Sequence, residues 1–315
     1  MIDSFGRNIT YMRISVTDLC NLRCKYCMPE TGIEKRPHRD IISVEEIGEI
    51  ARAAAKCGIR KIRLTGGEPL VRRGIVDICR LVSSVEGIEE LCITTNGILL
   101  PKYAEALRNA GVNRVNFSLD TLDPDKYASI TRIGSLRDAL AGLDAAVDSG
   151  FTPIKINAVL MGGINDDEIR RFAELTRDRD IHVRYIELMP MGSCVEWSSE
   201  HYLPGTAVLE ALPELEDAGV EGVAQRYRLP GYTGTIGIIT PVSSHFCKYC
   251  NRIRVTADGK LKACLHSAPE TNLRGLSGKD LEDTLRAAIM AKPLTHSMDG
   301  GAFSETARNM NEIGG

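Results

Sequence analysis

Three cysteines, Cys20, Cys24 and Cys27, stand close together in "TDLCNLRCKYCMPE", residues 17–30, with the spacing C-x3-C-x2-C. A thiolate is a soft metal ligand and a nucleophile. Structural zinc closes its coordination sphere with four protein ligands, and no fourth Cys or His stands nearby at ligand spacing. A cubane iron–sulfur cluster has an iron at each of four corners. Three thiolates would therefore leave one iron open, and an open iron can take a substrate or cofactor as its ligand.

A second trio, Cys247, Cys250 and Cys264, follows C-x2-C-x13-C. His245 or His266 could complete a tetrahedral zinc site here, so spacing leaves zinc and an incompletely ligated cluster both open. Between these cysteines runs "NRIRV". Arg252 and Arg254 alternate on an expected strand and so leave it on one face. Their forked guanidinium groups suit phosphate.

Composition limits the alternatives. The chain has 315 residues, a formal net charge of -3, 43% hydrophobic and 26% charged residues, in the range of an ordinary globular protein. Near-neutral charge gives no whole-chain footprint for nucleic acid or membrane. The opening "MIDSFGRNITYMRI" has no long apolar run or small-residue cleavage site. No stretch approaches the ~20 apolar residues that span a bilayer. Ten cysteines without export signals predict a reducing, cytoplasmic setting, with metal ligation rather than disulfides. Cys57, Cys79, Cys92 and Cys194 read as buried small apolar residues.

The elements that must position these residues alternate. Strands are expected over residues 11–17, 59–65, 90–95, 112–120, 153–160 and 180–189. Helices are expected over 43–58, 74–85, 101–111, 135–150 and 165–178. Ser43 and Asn165 read as N-caps, Pro101 as a helix opener and Gly58 as a stop. Six strands alternating with helices imply right-handed crossovers and a parallel sheet, either a partial barrel or a doubly wound sheet. The rhythm fails after about residue 189. We expect one unit over 1–190 and a smaller one over 191–315. Ligands in parallel α/β sheets bind at the carboxyl ends of the strands. The cysteine loop, "TGGEP", "TTNG" and "FSLD" all fall there. Arg13, Arg63, Lys155 and Arg184 lie on four different expected strands. They meet only if those strands line a common mouth, and such a gathering of like charge calls for an anion.

The C-x3-C-x-aromatic-C motif with Tyr26, followed by "GGEP", resembles the signatures of the radical S-adenosylmethionine (SAM) superfamily. "MRISVTDLCNLRCKYCMP", "RLTGGEPLVRR", "NFSLDTL", "KINAVLMGGIND", "RYIELMPMG", the C-x2-C-N-R-I-R run and the terminal "GG" extend the resemblance over nearly the whole chain. Within that superfamily it is most similar to the GTP 3′,8-cyclase family, which opens molybdenum cofactor biosynthesis.

The resemblance implies an incomplete (β/α)6 barrel with a C-terminal iron–sulfur extension, two [4Fe-4S] clusters, and SAM as cofactor. It implies that Cys20, Cys24 and Cys27 hold the SAM cluster and that Tyr26, Gly67, Ser118 and Met189 contact SAM. Arg13, Arg63, Thr94, Lys155, Arg184, Arg252, Ile253 and Arg254 would contact GTP. Cys247, Cys250 and Cys264 would hold the auxiliary cluster, and Gly314 and Gly315 would reach back into the active site. The implied reaction abstracts the ribose C3′ hydrogen of GTP, joins C3′ to guanine C8, and ends with a one-electron reduction. The implied partners are a low-potential electron donor and a downstream cyclic pyranopterin monophosphate synthase, with a homodimer left open and no nucleic acid or membrane. Two other classes stand beside this one. A different two-cluster radical SAM enzyme, such as a peptide-modifying maturase, would generally carry more C-terminal cysteines. A plain iron–sulfur electron carrier needs neither an open iron nor anion-binding arginines.

Overall fold

The computed structural model describes residues 1–296, 298 and 303–314. The first half builds the expected alternation. In chain order it comprises β1 (Tyr11–Ser15), α1 (Val44–Lys56), β2 (Lys61–Thr65), α2 (Ile75–Ser83), β3 (Glu90–Thr95) and α3 (Leu100–Asn109). There follow β4 (Arg114–Ser118), α4 (Pro124–Thr131), α5 (Leu136–Asp148), β5 (Ile154–Leu160), α6 (Ile169–Ala173) and β6 (Ile181–Glu187). Local chemistry explains the ends. Ser43 Oγ accepts from Glu46 N at 3.1 Å while the Glu46 carboxylate accepts from Ser43 N at 2.8 Å, a reciprocal cap at the start of α1.

Two elements depart from the sequence expectation. Helix α4 was not anticipated, although Asp123 caps it by accepting from Asp125 N and Lys126 N, with Pro124 at its first position. The helix expected over 165–178 is broken into a 3-10 turn, the short α6, and another 3-10 turn. The cause is that its capping side chain is used elsewhere. Asn165 Nδ2 donates to Asp120 O and Val159 O, and the Glu168 carboxylate accepts from Thr121 Oγ1 and Leu122 N. These bonds lock the loops above β4 and β5, leaving the first turn without a side-chain cap.

The second half adds α7 (Val195–Glu200), α8 (Thr206–Ala211), β7 (Glu216–Glu221), β8 (Ala224–Arg228), β9 (Thr235–Ile239), β10 (Arg252–Val255), β11 (Lys260–Lys262), β12 (Thr271–Asn272), α9 (Gly278–Met290) and α10 (Met310–Ile313). Among the described residues, twelve strands join one sheet in the order β12-β11-β10-β1-β2-β3-β4-β5-β6-β9-β8-β7. Strands β1 to β6 are parallel neighbours. β10 runs parallel to β1 and β9 parallel to β6, while the outermost strands are antiparallel. The parallel part therefore has eight strands but does not close, because β9 and β10 do not pair. An incomplete barrel is the result. The sheet continues across residue 190, with later strands on both flanks of the earlier six.

Each parallel strand divides its side chains between two faces. Met12, Ile14, Ile62, Leu64, Ile93, Val115, Phe117, Ile156, Val183 and Ile253 enter the apolar core. The intervening Arg13, Arg63, Thr94, Asn116, Asn157, Arg184, Arg252 and Arg254 belong to the opposite, lumen face. Polar residues are affordable there because the lumen is a site rather than a core.

Candidate functional site

The first cysteine loop leaves the carboxyl end of β1. Cys27 N and Met28 N both donate to Cys24 O, at 3.0 and 3.2 Å, curling the loop into a turn. Leu22 N points at Cys20 Sγ, 3.3 Å away. The unanticipated α4 holds this loop from outside: Arg23 N and Lys25 N donate to Thr131 O and Ile130 O, and Arg132 Nη1 donates to Arg23 O and Met28 O. Arg132 adopts a left-handed backbone with φ of 65° to do so. Burial, reinforced by neighbouring acidic groups, pushes the Cys20 thiol up to about 12 and raises Cys24 and Cys27 as well. Such thiols become thiolates when a cation binds them.

"GGEP" lies against this loop. Gly67 N donates to Thr17 O and Glu68 N to Leu19 O, both at 2.9 Å. A Cβ on Gly67 would sit 2.4 Å from Leu19 O and 2.6 Å from Asp18 O. The glycine thus lets two loops touch. Glu68, absent from the expected site residues, is a buried clamp. It accepts from Thr95 Oγ1 at 2.7 Å, Asn96 N at 2.8 Å and Leu70 N at 3.0 Å, and burial pushes its carboxyl up to about 7. Tyr26 Oη donates to Asp120 Oδ2 at 2.7 Å, and Asp120 Oδ1 accepts from Val159 N. Tyr26, Gly67, Ser118 and Met189 line the same cavity as the three cysteines.

Deeper in that cavity the arginines converge. Arg13 is in register with Arg254 on one side and Arg63 on the other, so three guanidinium groups stand abreast across β10, β1 and β2. Neighbouring strands lie ~4.8 Å apart. Tyr11 is in register with Arg252, and its ring lies 5.5 Å from the Arg63 guanidinium and 5.6 Å from that of Arg252. Arg184 joins from β6. With its amide oriented to accept, Asn116 Oδ1 receives Arg63 Nη1 at 2.6 Å and Arg184 Nη2 at 2.9 Å. Asn116 was not anticipated; its place between two lumen arginines is its only signal. Burial and the adjacent cations hold Arg184 down at about 9, and burial with Arg252 holds Arg254 down at about 10. The Nε atoms of Arg63, Arg184 and Arg252 are buried without a hydrogen-bond partner. A crowd of desolvated cations with unspent donors fits a polyanion.

Not every expected contact faces that cavity directly. Thr94, Arg13, Arg63, Arg184, Arg252 and Arg254 line it. Lys155 is buried on β5 and pairs with Glu221 at the end of β7. Ile253 turns its side chain into the apolar core, so only its backbone is available to a ligand. Gly314 is tied in: Arg254 Nη1 donates to Gly314 O at 2.6 Å. Gly314 has a left-handed φ of 81°, and a Cβ there would lie 2.2 Å from Thr65 Oγ1. The tail therefore returns to the barrel mouth at Gly314, while Gly315 lies outside the described residues.

The second trio closes the cavity opposite the first. Cys250 N donates to Cys247 O, and Cys264 follows β11. Lys292, buried, donates to Arg252 O and Ala263 O. Against the effect of burial, the charges of Lys292 and Arg252 lower the Cys250 thiol. Arg7 braces this region by donating to Cys247 O, Lys292 O, Pro293 O and Leu294 O. Among the described residues, neither trio brings its three sulfurs within 4.8 Å of one another.

The comparisons agree with this geometry. The Radical SAM superfamily profile matches residues 14–176, and the Molybdenum Cofactor Synthesis C profile matches residues 181–298. The chain is 47% identical over 320 residues to the GTP 3′,8-cyclase of Alkaliphilus oremlandii, with both chains fully covered. It is 50% identical over 322 residues to that of Peptoclostridium acidaminophilum, covering 100% of this chain and 98% of the other. Among solved structures, Streptococcus suis SuiB bound to S-adenosylmethionine shares the fold, with a TM-score of 0.58 at 14% identity over 89% of this chain and 68% of that one. The chain belongs to the GTP 3′,8-cyclase family of the radical SAM superfamily.

Proposed function

We propose that the chain converts GTP to (8S)-3′,8-cyclo-7,8-dihydroguanosine 5′-triphosphate, using S-adenosylmethionine and a reductant, as the first step of molybdenum cofactor biosynthesis. The observation that carries this reading is the in-register row Arg254–Arg13–Arg63 inside a cavity whose two ends hold the two cysteine trios. A cysteine trio at each end of the cavity and the unpartnered arginine Nε donors fit two [4Fe-4S] clusters and a nucleoside triphosphate.

When bound, the clusters and SAM supply one-electron chemistry able to remove hydrogen from an unactivated C–H bond. The chain's own residues do the rest. Cys20, Cys24 and Cys27 hold the SAM cluster, and Tyr26, Gly67, Ser118 and Met189 shape the SAM pocket. Asp120 fixes the Tyr26 hydroxyl. Arg13, Arg63, Arg184, Arg252 and Arg254 orient the triphosphate, so the ribose rather than another group meets the reactive end. Asn116 holds Arg63 and Arg184 in place. Thr94 and Lys155 complement that set, the latter once Glu221 yields to phosphate. Cys247, Cys250 and Cys264 would hold the auxiliary cluster. Gly314 places its carbonyl on Arg254 and leaves room for Thr65. With its ligands bound, the lumen would limit the access of water and stray hydrogen donors.

The division of labour assigns SAM chemistry to residues 1–190 and the auxiliary cluster with much of the GTP contact to 191–315. A low-potential electron donor, a cyclic pyranopterin monophosphate synthase that takes the product, a cytoplasmic location and a homodimer complete the reading. Among the described residues no helix is long and apolar enough to cross a membrane. The test is an anaerobic incubation of reconstituted protein with dithionite, SAM and GTP. Deoxyadenosine together with a cyclised GTP supports the reading. Deoxyadenosine formed equally without GTP, and no cyclised nucleotide, overturns it.

A further inference from the structure

The auxiliary region contains a second ligand set that overlaps the cysteine trio without coinciding with it. Ligand atoms of His245, Cys247 and His296 all lie within 4.8 Å of one another. The imidazole rings of His245 and His296 lie with centroids 4.1 Å apart, tilted 46° to one another. Cys247 is buried and both histidines are half-buried. Cys250 and Cys264 are not part of this group.

We propose that the chain lacking its auxiliary cluster binds one zinc-class divalent cation on His245, Cys247 and His296, in a mode that excludes the cluster because both need Cys247. Three arguments carry this. Mixed sulfur and imidazole donors suit zinc, and a three-ligand site keeps a fourth position for water. Bonds of ~2.0–2.3 Å require these atoms to close in by only about an ångström from their present spread. The two segments that bear the ligands are already fastened together, since one guanidinium, Arg7, accepts no freedom from either: it donates to Cys247 O at 3.0 Å and to Leu294 O at 3.0 Å.

Charge separates the two modes. The Lys292 ammonium is held close to the Cys250 segment by its bond to Arg252 O at 2.9 Å. It stabilises a cluster that carries net negative charge with its three thiolates. A lone divalent ion bound by one thiolate and two neutral imidazoles is net positive, and the ammonium turns it away from Cys250 toward the histidines. As the ion binds, the Cys247 thiol releases its proton to solvent and the sulfur–metal bond forms, with no change of oxidation state.

The experiment uses the full chain with Cys20, Cys24 and Cys27 replaced by Ser, freed of iron and titrated anaerobically with Zn2+ against a chromophoric chelator, then with Co2+. The expected result is one equivalent of zinc, and a cobalt spectrum with the charge-transfer intensity of a single thiolate. His245→Ala and His296→Ala each weaken zinc by roughly tenfold or more, while Cys250→Ser and Cys264→Ser change it by less than about twofold. Failure to take up zinc, a three-thiolate cobalt spectrum, or losses in Cys250→Ser and Cys264→Ser equal to those of the histidine variants would overturn the proposal. Circular dichroism checks each fold. If the triple variant does not fold, the same comparison on the chain with its native Cys20, Cys24 and Cys27 reads the step that the histidine variants remove. No GTP or SAM enters the test, so its failure leaves the cyclase reading untouched.

Discussion

The two cysteine trios face each other across one cavity, yet the chain builds them differently. The first sits on a single loop, held by backbone bonds from "GGEP" and from the end of α4, with acidic Glu68 and Asp120 nearby. Its thiols are pushed up. The second is assembled from two separated segments, held together by Arg7 and Lys292 at a cationic end of the lumen. Its Cys250 is pulled down, while burial raises its Cys247. On the proposed reading the first loop hosts a sulfonium cofactor, which has no use for extra positive charge, and the second end seats a triphosphate, which does. The same ligand count would then serve two chemistries because the surrounding charge differs.

The largest effects come from removing one trio at a time. Reconstituted protein should hold about eight irons. Cys20→Ser should lose roughly half of them and all deoxyadenosine formation. Cys250→Ser should also lose half its iron but still cleave SAM, without cyclised product. Iron analysis and product chromatography decide this, and loss of SAM cleavage in Cys250→Ser would break the asymmetry.

Next, Arg254→Ala should weaken GTP binding by about 10–150-fold, corresponding to ~1.5–3 kcal/mol for a charge-assisted contact. Binding of SAM should stay near normal, since Arg254 belongs to the cationic end. Equilibrium dialysis of the two ligands separates these outcomes.

A smaller effect concerns pH. Burial and the charge of Arg184 outweigh Glu221 and hold Lys155 down at about 8. Its positive charge is complete below that pH and is lost above it. GTP affinity should therefore fall as pH rises through 8, by at most about tenfold per unit. Lys155→Arg should flatten the profile, because a guanidinium keeps its charge. A wild-type profile with no decline between pH 8 and 9.5 would remove Lys155 from the binding equilibrium.

Smallest is the outer network, where Arg36 joins Asp18 at 3.0 Å and Glu312 at 3.0 Å. Arg36→Ala should cost less than about 1 kcal/mol of stability, read as a small drop in thermal midpoint.

Much of this was legible in the sequence. The six βα units, both cysteine trios and the convergence of Arg13, Arg63 and Arg184 follow from periodicity and spacing, because parallel strands alternate core and lumen residues strictly. The residues that escaped are those acting through side-chain hydrogen bonds between loops distant in sequence. Asn116, Arg7 and Lys292 carry no local signature, and Glu68, though inside "GGEP", shows nothing there of its clamping role; each role is defined by partners tens to hundreds of residues away. Strand β9 escaped for another reason. Its "TIGII" lies in a Gly- and Thr-rich stretch, where Gly237 makes room for the Arg184 stem: a Cβ there would lie 2.9 Å from Arg184 Cγ. Asn165 misled because a good capping residue was taken by tertiary bonds.

The flanking of β1 by β10 has a consequence for how the chain is made. Asn251 Nδ2 donates to Thr10 Oγ1 across 241 residues of sequence. During synthesis, the first six strands emerge long before the partners of their two outer edges. Until then both edges offer unpaired backbone groups to any neighbouring chain. A fragment ending near residue 190 should therefore aggregate rather than stand as an autonomous barrel, and nascent chains should depend on chaperones over that interval.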